Sequence, residues 1–441
     1  MRRLCLSLGL CLLTVSMTAQ KKWTMQECVD YAMQNNIVLQ KSRLQQQSAA
    51  EDLKGSKSAL LPSLSASTSH SVGYRPWQDD GVTTVTNGQV NTKVDKTYYN
   101  GSYSLNASWT VWDGNRNRNN VKLSKLSAQQ AELDVASTAN SIQERIAQLF
   151  VQVLYLDDAI KVSEASLETS RKNEERGKEM AEVGKMSKAD LAQLAAQRAS
   201  DEYSLVESRS QMASYKLQLK QLLELTGDAD FDIAVPATTD AQALADIPSV
   251  QAVYEQALLN RPEIQNAQLG IESSRLNLSV AKSGWFPHVN LSGGVGTGTN
   301  SLAKKGWDAQ FKNNFDAMGG LSVSIPIFDQ RQTKTAVNKA RILQQQAQLE
   351  LQDQQKKLYQ TIEGFWLDAT TNQQKFLTAR TTVESEQQSY DLLSEQFRLG
   401  LKNIVELMTG KDRLMQAQQN LLQSKYMTIL NIQLLQFYQG K

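Results

Sequence analysis

The chain repeats itself, and no other feature limits its fold as tightly. Adding 225 to positions in the amino-terminal part pairs Ala32 with Ala257, Asn35 with Asn260, Gln40 with Gln265, Leu44 with Leu269, Leu53 with Leu278, Lys57 with Lys282 and Pro62 with Pro287. Further on the offset is 216, pairing Leu105 with Leu321, Asp113 with Asp329, Val121 with Val337, Ala131 with Ala347, Gly184 with Gly400 and Leu191 with Leu407. The one change of offset makes the second copy nine residues shorter between Pro287 and Leu321, where a surface loop absorbs the difference cheaply. So long a period is not that of a solenoid, and two tandem copies predict pseudo-symmetry within one molecule.

Each copy reads as helix, strand, loop, strand, long helix, turn, helix. The first copy is expected over 20–236, with strands at 63–74 and 99–112 and long helices over 116–226. The second is expected over 237–441, with strands at 288–298 and 318–328 and long helices over 330–439. Ahead of both stands MRRLCLSLGLCLLTVSMTAQ, in which two arginines precede a short apolar run and the small-residue site Met17-Thr18-Ala19. That is the pattern of a signal peptide, 1–19, removed on export. Cys11 follows Leu10 inside the apolar run and makes a poor lipid acceptor.

Loss of Arg2 and Arg3 leaves 45 of the 47 basic residues to face 45 acidic ones, so the mature chain is formally neutral. No basic surface for nucleic acid follows from that balance. Of three cysteines only Cys28 survives processing, so no bridge can form within the chain. No later segment holds eighteen consecutive apolar residues, so any membrane crossing falls to strands.

The strands are patterned for it. Leu64, Ala66, Thr68, His70, Val72 and Tyr74 alternate with serines and Gly73, and Tyr99, Tyr103, Leu105, Ala107, Trp109 and Val111 alternate with Asn100, Ser102, Ser104, Asn106, Ser108 and Thr110. The second copy repeats this, with Val289, Leu291 and Val295 in one run and Leu321, Val323, Ile325 and Ile327 in the next. Each run approaches or reaches the roughly 9–11 residues that cross a bilayer. Trp109, Trp112, Trp285, Phe286 and Phe328 cluster where the strands meet the helices, as membrane-interface rings do. An ordinary sheet with one buried face explains the alternation but not a whole face of Ser, Gly and Asn. Four strands cannot close a barrel, and hydrocarbon does not tolerate open edges. Two copies would give eight strands and an interior filled by side chains, whereas three give twelve and room for a passage.

The rest is helix. Only seven prolines occur, with none between Pro76 and Pro236 or after Pro326. From Arg116 to Arg176 the pattern is unbroken, roughly 90 Å of rod at 1.5 Å per residue. Its apolar seam, Val135, Ala139, Ile142, Ile146, Leu149, Val153, Leu156, Ile160 and Leu167, steps by fours and threes, and Leu358, Ile362, Phe365 and Ala369 repeat it. A narrow seam on a polar rod suits helices packed side by side as a wall. The rods turn back at Gly184 and Gly400, where left-handed geometry ends a helix.

Chemistry is sparse. The two histidines, His70 and His288, stand at strand positions without cysteine partners, phosphate loop or nucleophile elbow. We therefore expect no catalytic residue, no metal site and no cofactor. The competing reading is a trimeric coiled-coil surface fibre without transport. A fibre keeps its barrel-forming segment at one end, whereas here strand pairs lie between helices in both copies.

WTMQECVDYAMQNN, the helix-to-strand prolines Pro62 and Pro287, the strand exits VWDGNRNR and PIFDQRQT, and the VG and LG tips together resemble outer-membrane efflux proteins of the TolC type. The likeness runs in order, twice, over nearly all of the mature chain. It implies a mainly α fold with membrane β: a tunnel of long helices, and four strands per chain contributed to a twelve-strand barrel shared by a homotrimer. It also implies an outer-membrane location with a long periplasmic extension, a periplasmic adaptor docked at Gly184, Lys185, Gly400 and Leu401, and an inner-membrane transporter that supplies the energy. Carried over by position, the entrance gate falls on Asp190, Lys402 and Glu406. The best-known member carries an aspartate ring one turn beyond Glu406, where this chain has Thr409. The sequence does not identify the cargo.

Overall fold

A computed structural model describes residues 22–77, 81–85, 88–92, 95–227, 231–236, 239–303 and 305–440; the expected leader, 1–19, lies outside them. The first copy supplies β1 (Lys22–Trp23), α1 (Met25–Asn35), α2 (Ile37–Ser58), β2 (Ser63–Tyr74), β3 (Gly81–Val85), β4 (Gly88–Thr92), β5 (Thr97–Trp112), α3 (Arg116–Glu182), α4 (Lys188–Leu222) and β6 (Asp232–Ile233). The second supplies α5 (Asp240–Ala243), α6 (Val250–Asn260), α7 (Pro262–Ser283), β7 (His288–Asn300), α8 (Trp307–Asn313), β8 (Asp316–Ser324), α9 (Gln332–Arg398) and α10 (Ile404–Tyr438). The two long helices of each copy match to the residue, at 67 and 35.

Two compact units divide the chain, and each draws on both copies. One holds 43–134 and 263–354; the other holds 1–42, 135–262 and 355–441. The duplication is therefore a division of the sequence and not of the fold.

The first unit contains the sheet, ordered β2-β5-β7-β8 and antiparallel throughout. The register puts Leu64 opposite Ala107, Leu105 opposite Val295 and Leu291 opposite Leu321, so the apolar positions of all four strands share one face. On the other face hydroxyls pair across strands, Ser63 with Ser108 at 2.8 Å and Ser67 with Ser104 at 2.7 Å. Leu64 is 70% exposed and Leu321 66%. Among the described residues no protein interior covers those leucines, unlike a sheet with one face buried in its own core. Among the described residues, β2 and β8 pair on one side only.

The two passages from helix into sheet are built alike. α2 ends at Ser58 and α7 at Ser283, three turn residues and a proline follow, and the strands begin at Ser63 and His288. Pro62 and Pro287 thus stand where a helix cannot continue and a strand has not yet asked for the missing N–H. β8 covers Asp316–Ser324, against an expected 318–328. Its partner β7 starts at His288 opposite Ser324, so residues beyond have no ladder to join, and Pro326 has no amide to give.

The passages back from sheet into helix match as well. Asp113 Oδ2 accepts the Asn117 amide at 2.9 Å, and Asp329 Oδ2 accepts that of Thr333 at 2.7 Å. Bonds from Thr333 hold the Asp329 carboxyl below the usual carboxylate range. The two residues after each aspartate are left-handed, Gly114 and Asn115 at φ 68° and 65°, Gln330 and Arg331 at 52° and 70°. Gly114 has a second reason to be glycine: a Cβ there would stand 2.9 Å from the Ser283 carbonyl oxygen.

In the second unit the expected seam is a core. Ile142, Ile146, Leu149, Val153, Leu156 and Leu167 are buried along α3, and Leu358, Ile362 and Ala369 along α9. Cys28, Leu39, Leu219, Tyr426, Leu430 and Leu434 join the α3 cluster. α1 is started by a capping box between Thr24 and Glu27. The parallel pair β1–β6 is closed by Asp232, which binds Lys216 at 2.8 Å.

Candidate functional site

The two hairpin tips are the same structure built twice. At the first, the Gly184 amide donates to Ala181 O at 3.1 Å and the Lys185 amide to Met180 O at 2.8 Å. At the second, Gly400 donates to Phe397 O at 3.0 Å and Leu401 to Gln396 O at 2.9 Å. Each is a Schellman cap, with glycine in the left-handed position at φ 72° and 75°. No atom lies near the Cβ position of either glycine, so backbone geometry alone demands them. Val183, Leu399 and Leu401 are exposed.

The helices that leave the tips are capped at once. Ser187 Oγ accepts the Asp190 amide at 3.0 Å and donates to Asp190 Oδ2 at 2.8 Å. Asn403 and Glu406 form a capping box, with Asn403 Oδ1 accepting the Glu406 amide at 2.9 Å. Lys402 Nζ reaches Glu406 Oε1 at 2.7 Å, and that bond holds the Glu406 carboxyl below the usual range. The three residues expected to form a gate thus find partners within each tip: Lys402 pairs with Glu406, and Asp190 pairs with Ser187. Thr409 Oγ1 donates to Val405 O at 2.8 Å, on its own helix.

The connection between the two hairpins lies further in, on residues that helical periodicity does not single out as functional. Lys411 of α10, 5% exposed, bonds Asp201 of α4, 3% exposed, and donates to Ser170 of α3, 2% exposed, at 2.5 Å. Ser170 Oγ in turn donates to Asp201 Oδ2 at 2.5 Å. Gln197 Nε2 bridges Asp201 at 3.2 Å and Asp412 at 3.0 Å. Partial desolvation raises the carboxyl of Asp412, an exposed residue, above its usual range. Between α3 and α4, Glu174 binds Lys178 at 2.9 Å and Arg198 at 2.7 Å, which lowers its carboxyl. An apolar cluster of Leu194, Tyr390, Phe397, Ile404, Leu407 and Leu414 packs the same region. The signal that would have exposed the trio is its register. Lys411 falls on the apolar seam Leu407, Leu414, and Asp201 on the line Leu194, Leu205, where a charge must find a partner.

Of the expected interface rings, Trp112 and Phe286 meet edge to face at 5.9 Å, and Trp109 Nε1 donates to Leu60 O at 2.9 Å. Trp285 and Phe328 are exposed. Among the described residues no cluster of His, Cys, Asp or Glu is arranged to hold a metal, and no helix is long and apolar enough to cross a membrane.

Comparison with known proteins meets this arrangement at both copies. The family described as outer membrane efflux protein matches residues 28–224 and again 253–440. Outer membrane protein TolC of Vibrio cholerae serotype O1 is 22% identical over 416 residues, 92% of this chain and 88% of its own length. The toxin and drug export protein A of Aggregatibacter actinomycetemcomitans is 22% identical over 410 residues, 91% of this chain and 82% of its own. Among solved structures, CusC superposes with a TM-score of 0.78 at 17% identity, covering 94% of this chain and 91% of the other. VceC from Vibrio cholerae gives 0.76 at 18%, covering 94% and 96%. The likeness in fold and the double match agree: this chain belongs to the outer membrane efflux protein family, channel proteins of the outer membrane, and has the TolC-like fold.

Proposed function

We propose that the chain is the outer-membrane component of a tripartite efflux or secretion system, a passive trimeric conduit without catalysis of its own. The observation that carries this reading is the four-stranded sheet with an exposed apolar face and, among the described residues, two unpaired edges. In hydrocarbon each bare amide costs several kcal/mol, so the edges must be closed by further copies. Three copies give twelve strands and a passage. In this reading residues 1–19 are removed on export. A periplasmic adaptor docks at the paired tips, through Gly184, Lys185, Gly400 and Leu401, and an inner-membrane transporter drives the cargo. Trp109, Trp112, Trp285, Phe286 and Phe328 sit at the periplasmic interface of the outer membrane. Asp190, Lys402 and Glu406 form a polar collar at the entrance.

Mass measurement of the detergent-extracted protein tests the assembly, with three chains expected; a stable monomer would end the proposal. In planar bilayers the wild type should conduct weakly, and Lys402→Ala combined with Glu406→Ala should raise the basal conductance. Unchanged conductance in that variant places the gate elsewhere.

A further inference from the structure

The apolar face of the sheet carries a second group of rings at the end away from the helices, and α8 builds it. Trp307 packs on Tyr99 with centroids 5.4 Å apart, and Phe311 on Tyr103 at 5.0 Å. Tyr99 and Tyr103 belong to the alternating set that includes Leu105 and Trp109, so α8 stands on the apolar side. It is held there firmly. Thr297 Oγ1 donates to Phe311 O at 2.9 Å, Asn314 Nδ2 to Gly298 O at 2.6 Å, and the Asn300 amide to the buried Gln310 side chain at 2.7 Å. Even so, Trp307 is 52% exposed, and Phe311 and Phe315 are open as well.

Three observations select the occupant of those rings. The first is depth: Tyr99 and Trp109 are ten residues apart on β5, about 33 Å along the strand. At a tilt of about 40° this is close to 25 Å of height, the apolar band that two aromatic girdles flank in outer-membrane barrels. The second is position. α8 lies over β5 and β7, the middle strands, while a neighbouring copy would join at β2 or β8. The third is charge: Lys304, Lys305 and Lys312 are set against Asp308 and Asp316, a net of one positive charge, so the rings and not a strong charge provide the attraction.

We propose that α8 is a lipid-binding element that lies in the headgroup region of the outer leaflet, with Trp307, Phe311 and Phe315 at the boundary with the acyl chains. The proposal rests on the outer-membrane location and on copies joining at β2 and β8, and not on the tips or their partners. Wild type, Trp307→Phe and Trp109→Phe are reconstituted in phosphatidylcholine vesicles brominated either near the headgroup or deep in the chain, with circular dichroism confirming the fold. The difference between wild type and each variant gives the emission of one of the seven tryptophans. The Trp307 component should be quenched about two-fold more by shallow than by deep bromine, as expected of an interfacial ring, and be little affected by aqueous acrylamide. Quenching by acrylamide but by neither lipid, or stronger quenching by deep bromine, overturns the proposal. If the Trp109 component also ignores both lipids, the outer-membrane placement of the sheet fails with it; if only Trp307 does, the assignment of α8 fails alone. Should Trp307→Phe not fold, Trp307→Tyr gives the same readout.

Discussion

Lys411 is a cation placed where the helix pattern calls for leucine. Removing its ammonium leaves Asp201 buried without a counter-charge, and breaking such a pair costs about 3–5 kcal/mol. Lys411→Met should therefore lower the unfolding midpoint of the extracted protein sharply. Lys411→Met combined with Asp201→Leu should recover most of the loss, because replacing both charges by apolar groups removes the desolvation cost with the attraction. Asp412 makes the opposite prediction. Partial desolvation raises its pKa, so in that window the folded chain holds more of the proton than the unfolded chain, and stability falls slightly as pH rises through it. Asp412→Asn keeps an oxygen for Gln197 and removes that cost. The variant should be more stable than wild type at pH 7, and thermal melts should converge as pH drops below about 4, the ordinary carboxylate range. The register of Lys411 and Asp201 on apolar lines is visible in the sequence, but their pairing is not. Their mutual contact joins positions 170, 201 and 411, a separation that no local pattern reports.

Among elements, long regular pieces were legible and short irregular ones were not. Seam and strand alternation follow from periods of 3.5 and 2, which survive in any chain that buries or presents one face. The helix starts at Arg116 and Gln332 are capped by the carboxylates of Asp113 and Asp329. By contrast α8 is only seven residues long, and its hold on the sheet depends on Gln310 and Asn314 meeting β7 across the loop. The tips were found through glycine, and the structure separates two reasons for it. Since nothing crowds the Cβ position of Gly400, a substitution there suffers only from its backbone. Gly400→Asn should be tolerated, whereas Gly400→Val should cost about 1–2 kcal/mol of left-handed strain and impair export. Comparing export by the two variants, at equal protein level, checks this; equal export would reduce the tip to a plain turn.

At the scale of the molecule, two copies of sequence fold into two units that each mix them, and the copies meet at the β5–β7 ladder in the middle of the sheet. Among the described residues, what remains unpaired after that union is the outer side of β2 and of β8. Its consequence is genetic. If three chains close one ring, a single faulty subunit spoils the work of two sound ones, because every subunit must offer both margins to its neighbours. Expressing a chain whose β8 amides are interrupted by proline beside an equal amount of wild type should leave only about one ring in eight intact by random mixing in a trimer. Cells carrying both genes should lose most of their export, and retention of half would mean that the chains work singly. In such a ring, damage at this margin would be inherited as a dominant trait, even in a cell that still makes the sound protein.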